Sequence, residues 1–149
     1  ERKEVASKEH EFLITQVQRR QKSMNTHGFI ELNLNHPVKE LIYFIQPTRN
    51  LKEGEFFNFS SKLNYLPREY ENIKGYDSAS YLLMPEYHLL DEARILFNGR
   101  ERIGWKNYKY YYYLQNYEHY RNSANSYIYL YSFSMKPLSI VILLLKTIP

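Results

Sequence analysis

An alternation of apolar and polar side chains with a period of two constrains this chain more than any other feature. Ile30, Leu32 and Leu34 alternate with Phe29, Glu31 and Asn33, and the run stops at Asn35-His36-Pro37, where proline removes a backbone donor. Val38 to Gln46 follows as a second strand. Leu41, Tyr43 and Ile45 share one face, and Ile42 and Phe44 share the other with Glu40, which predicts cover on both sides. Phe12 to Gln18, Ala93 to Asn98 and Tyr127 to Phe133 are strands by the same criterion, and Asn98-Gly99 is the clearest hairpin turn. Tyr108 to Gln115 is predicted as another strand, because four consecutive tyrosines crowd a helix but alternate across a pleated sheet.

Helix is expected only as a turn or two around Arg2 to Glu11 and around Pro85 to Glu92. Between residues 51 and 90, Pro67, Gly75 and Pro85 break the chain into loops, with one short strand at Phe56 to Ser60. Strands joined by irregular loops of unequal length predict an all-β sandwich or jelly roll in one domain.

Composition closes off several alternatives. The absence of cysteine excludes a disulfide scaffold and a cysteine-ligated metal, and 17% aromatic content is far too high for a disordered chain. The longest apolar run, Ile140 to Leu145, is much shorter than the roughly 20 residues of a membrane span. The opening Glu1-Arg2-Lys3-Glu4 carries no initiator methionine, which points to a piece of a longer protein.

No reaction chemistry is legible. The five glycines are scattered rather than grouped into a phosphate-binding loop, the five histidines lack H-x-H or H-x-x-x-H spacing, and no serine sits in a G-x-S-x-G turn. The carboxylate pairs Glu53/Glu55, Glu69/Glu71 and Asp91/Glu92 lie in polar stretches, whereas general acid–base work needs a partly buried carboxyl. The expectation is therefore a protein that is not an enzyme, with no cofactor, no metal and no small-molecule substrate.

The chain's asymmetry is more informative. Residues 100–149 hold seven basic and two acidic side chains, and ten of the sixteen tyrosines lie between Tyr108 and Tyr131. Lys106 to Tyr113 interleaves cations with rings, a mixture that holds single-stranded nucleic acid by stacking bases and following phosphates. The preferred reading is packing, with alternate rings inside a sandwich and the others paired outside, so nucleic acid is not the expected partner. A carbohydrate-binding or carbohydrate-active sandwich is a third class, without an identifiable carboxylate pair in its favour. Gln18-Arg19-Arg20-Gln21-Lys22 is expected as a solvated loop, and Asn58-Phe59-Ser60 is a formal glycosylation sequon with Asn58 as the acceptor.

The stretch Leu34-Asn35-His36-Pro37-Val38-Lys39-Glu40-Leu41-Ile42-Tyr43-Phe44-Ile45-Gln46 resembles a signature of the major capsid proteins of nucleocytoplasmic large DNA viruses. Three more blocks are similar to that family in the same order: Glu9 to Gln18, Ala93 to Arg102, and Tyr129 to Pro137. The resemblance implies the second of two consecutive jelly rolls, and homotrimers of pseudo-hexagonal outline that tile an icosahedral shell and contact minor capsid proteins. It implies a virion location, with assembly in the host cell cytoplasm. On this basis residues 1–149 form a single partial C-terminal jelly-roll domain that lacks the first roll and the opening strand of the second. A loop-rich excursion occupies 51–90, and an atypical apolar tail occupies 138–149. That tail departs from the polar ending usual in the family, and a truncated, non-assembling relic is the alternative product. A tyrosine-rich wall would present flat surface to a neighbour, which makes Tyr108, Tyr110, Tyr112 and Tyr117 the interface candidates.

Overall fold

The computed structural model describes residues 14–24, 26–65, 81, 83, 85–121 and 126–135. The expected turn at Arg2 to Glu11, the start of the Phe12 strand, most of 66–84 and the 138–149 tail lie outside the described residues. The chain divides into two compact units, residues 1–38 with 140–149, and residues 39–139.

In the first unit, two extended segments run antiparallel without forming a ladder. The Gln18 amide donates to the Asn35 carbonyl at 2.9 Å and its Oε1 accepts the Asn35 N–H at 3.3 Å. Arg20 donates to the Asn33 carbonyl and Lys22 to the Phe29 carbonyl. Side chains thus replace the backbone pairing expected for Phe12 to Gln18 and for Ile30 to Leu34, and neither forms a strand among its described residues. Long polar side chains reach the carbonyls from one segment to the other, and with Val17 and Phe29 exposed no buried face draws the two backbones together.

The second unit holds four strands among the described residues, all paired antiparallel. Strand β1 (Glu40–Tyr43) pairs with β4 (Tyr129–Ser132), and β2 (Glu92–Phe97) pairs with β3 (Arg100–Asn107) as a hairpin. Asn98 and Gly99 close the hairpin with φ of 50° and 75°, the left-handed pair that the strand twist requires of a two-residue turn. Every residue of β4 is buried, whereas β1 is half-buried on its inner side. Leu41 and Tyr43 face the core, but Ile42 and Phe44 stay largely exposed, so the predicted cover on both sides is incomplete. On that outer side Phe44 meets the Phe59 ring at 4.3 Å.

Three further expectations are corrected in this unit. The Tyr108–Gln115 run is helical, comprising a π-helical turn (Tyr110–Leu114) that leads into α2 (Gln115–Tyr120). Asn107 starts this turn, since its Oδ1 accepts the Lys109 N–H at 3.1 Å. Winding the run puts Tyr111 and Gln115 inward together, which a strand could not do without also burying Tyr113. Phe56 to Ser60 is a tied loop rather than a strand. The buried Asn50, in the helix α1 (Thr48–Lys52) that the sequence reading missed, donates to the carbonyls of Asn58 and Ser60. Asn58 and Ser60 close the loop around the Lys62 carbonyl. Pro85 to Asp91 is irregular, without the expected helical turn, and Glu92 already belongs to β2.

The core is made of phenols. Tyr111, Tyr129 and Tyr131 are buried at its centre, with Leu41, Tyr43, Ile95 and Ile103 packed around them. The class is all-β with short helical inserts.

Candidate functional site

The tyrosine-rich segment sorts into an inner cluster and an outer surface. Tyr111 anchors the inner cluster by donating its hydroxyl to the Ala93 carbonyl at 2.9 Å, beside the irregularity in the β2–β3 register between Ala93 and Ile95. Its ring meets Tyr43 edge-on at 5.8 Å, and Tyr43 leans on Tyr129 at 5.5 Å. Gln115 bridges helix and sheet, accepting the Ser132 N–H at 2.9 Å and donating to the Tyr110 hydroxyl.

His88, which no sequence spacing singled out, sits among four of these rings. Tyr108 stacks on it at 4.1 Å, while Tyr112, Tyr127 and Tyr129 approach at 4.6, 4.7 and 5.8 Å. The Tyr129 oxygen accepts the Leu90 N–H at 3.4 Å and lies 3.1 Å from His88 Nδ1, a hydrogen bond whose direction is set by the imidazole tautomer. Burial lowers the His88 pKa, in keeping with a neutral ring. Burial also pushes Tyr111 up to about 12, with Tyr110 and Tyr131 contributing.

Of the four interface candidates, Tyr117 projects outward at 75% exposure, while Tyr108, Tyr110 and Tyr112 are half-buried. Tyr108 and Tyr112 are engaged with His88, and Tyr110 lies edge-on to Tyr111 at 5.0 Å. These rings pack into the core rather than standing as a row of stacking platforms. Asn58 holds the loop through its Nδ2, the atom a glycan would need, which donates to the Glu55 carboxylate and to the Lys62 carbonyl. The outer surface also includes residues the sequence reading passed over: Trp105, Leu96, Phe56 and Phe57. Adjacent phenylalanines in a polar loop were the available signal for the last two. No group of three or more His, Asp or Glu side chains suited to a metal ion occurs among the described residues.

The second unit is thus an antiparallel β scaffold packed around phenols, with Phe57, Trp105 and Tyr117 exposed at its surface. The chain belongs to the family of large eukaryotic DNA virus major capsid proteins, whose model matches residues 1–140. It is also similar to a major capsid protein of Phaeocystis pouchetii virus, at 40% identity over 68 residues. That match covers 44% of this chain and 13% of the relative, so the chain corresponds to a small part of that protein's length. Membership places the chain among the structural proteins of the virion capsid.

Proposed function

We propose that residues 1–149 act as part of a capsid wall, as a partial C-terminal jelly roll of a double jelly-roll protein that assembles into trimeric, pseudo-hexagonal capsomers. The observation that carries this reading is the family match over residues 1–140. A phenol-packed core under exposed rings supports it, because assembly contacts are built from buried aromatic area inside a polar rim. In this reading the two β pairs are portions of larger sheets, and the loops of the 51–90 excursion reach toward neighbouring subunits. Such a role calls for no cofactor, and minor capsid proteins are its further partners. The Tyr108, Tyr110, Tyr112 and Tyr117 edge is one contact region, with Tyr117 as its outermost ring.

Mass spectrometry of purified virions and sedimentation of the expressed protein test the proposal together. Peptides from 1–149 in the particle and a mass of three chains are expected; their absence from virions would refute the capsid role. Tyr117→Asp is expected to weaken self-association while leaving the melting temperature within about 1–2 °C, since surface substitutions cost little stability.

A further inference from the structure

Two surfaces of the second unit remain without cover once the core is assembled, and their chemistries are complementary. The first is an open cleft of about 580 Å³ beside the tied loop, walled by Phe56, Phe57, Phe59 and Tyr127. Among the described residues that line it, Glu55 and Glu86 are the charged ones, and none is a lysine or arginine. Phe57 is 87% exposed and Phe56 60%, two adjacent rings in contact with solvent.

This cleft is held in shape. Glu55 accepts the Asn64 N–H at 2.9 Å and is also bonded by the Asn58 and Asn64 amides. Tyr127 lines the cleft at φ 60°, a left-handed conformation that a bulky residue keeps only when its surroundings enforce it. Its ring packs on His88 and Tyr112. Burial and the Glu86 carboxylate beside the Tyr127 hydroxyl together raise that phenol to about 12.

The second surface is the outer face of the β2–β3 hairpin. Ala93, Ile95 and Ile103 turn toward the phenol core, which leaves Arg94 and Trp105 on the other face. The Arg94 guanidinium lies 5.0 Å over the Trp105 ring, and Trp105 is 60% exposed. From Glu92 to Asn107 the hairpin carries four basic and two acidic side chains. Tryptophan and arginine are the residue types that most often anchor the centre of a protein interface.

We propose that the Phe56–Phe57 cleft of one copy receives the Arg94–Trp105 face of the hairpin of a second copy. The indole would lie on the phenylalanines, and the guanidinium would face Glu86. The contact joins two different patches, so it is head-to-tail, the kind of interface that makes a ring where the rotation between copies closes. It rests on the self-assembly reading above and specifies which surfaces meet.

The chain has no cysteine, so introduced thiols report single positions. Phe57→Cys and Trp105→Cys chains, mixed and treated with a short bifunctional maleimide, should give a covalent dimer that neither variant gives alone. Glu86→Arg and Arg94→Glu should each weaken association by about tenfold, and the two reversals together should restore most of it. A mixture that sediments as an oligomer without forming the mixed cross-link overturns this interface and leaves self-assembly standing. A mixture that sediments as a monomer overturns both. A chain carrying both cysteines that cross-links only within itself also overturns the proposal, since the two surfaces would then meet inside one chain.

Discussion

Two phenols in the core make opposite predictions under the same substitution. The Tyr43 ring is partly exposed, but its hydroxyl oxygen is buried with no hydrogen-bond partner among the described residues. Burying a hydroxyl without a partner costs about 1–3 kcal/mol, so Tyr43→Phe is expected to stabilise the fold by about 1 kcal/mol. Tyr111 is fully buried and its hydroxyl donates to the Ala93 carbonyl at 2.9 Å, so Tyr111→Phe removes that bond and should cost about 1–2 kcal/mol. With a urea slope of about 2 kcal/mol per molar, the two variants' midpoints should separate by about 1 M, with wild type between them. Equilibrium urea unfolding followed by tyrosine fluorescence measures this directly. A Tyr43→Phe midpoint as low as that of Tyr111→Phe would refute the reasoning, because the Tyr43 hydroxyl would then be making a bond of equal worth.

Asn50→Ala should destabilise the unit by about 2–3 kcal/mol and open the 55–64 loop to proteolysis next to Phe56 and Phe57, since the carbonyls of Asn58 and Ser60 lose their shared donor. Gly99→Ala should cost about 1 kcal/mol in thermal unfolding through backbone strain alone, because φ is 75° and nothing lies within 4 Å of the added methyl. Alkali should unfold the protein. Tyr111 and Tyr127 are raised to about 12 in the fold, so their neutral forms are favoured there, and their contribution is intact below pH 10 and lost as pH rises toward 12. Absorbance at 295 nm should then rise together with loss of secondary structure. The His88 pKa is lowered, so its contribution is present above the ordinary histidine value of about 6.5 and lost as pH falls below it. His88→Phe should flatten the stability profile between about pH 7 and 5.

What was legible in the sequence was what is decided locally. The hairpin could be read because Asn98-Gly99 demands left-handed backbone between two apolar runs. The strands at β1 and β4 showed in their own side-chain alternation, though nothing in either segment names the other as partner. The tyrosine run was misread because a short aromatic stretch fits a strand or a buried helix equally well by periodicity. Asn107, whose side chain accepts the Lys109 N–H at the start of the turn, is a local signal that periodicity does not carry. The loop after α1 escaped notice because its order comes from Asn50, eight and ten residues away from the carbonyls it holds. His88 has no sequence signal at all, since its neighbours Tyr108, Tyr112, Tyr127 and Tyr129 come together only in three dimensions.

The pairing of β1 with β4 places a demand on the order of events during synthesis. Tyr43 is matched with Tyr129, 86 positions further along, whereas β2 meets β3 across two residues. The hairpin can close within microseconds of leaving the ribosome, while β1 must wait roughly 4–17 s at ordinary elongation rates for its partner to be made. Throughout that interval Ile42, Phe44 and an unpaired strand edge are open to other nascent chains. A polysome translating this message therefore sets identical unfinished edges side by side, and a chaperone that occupies β1 during elongation would raise the yield of correctly folded chain more than one added after release.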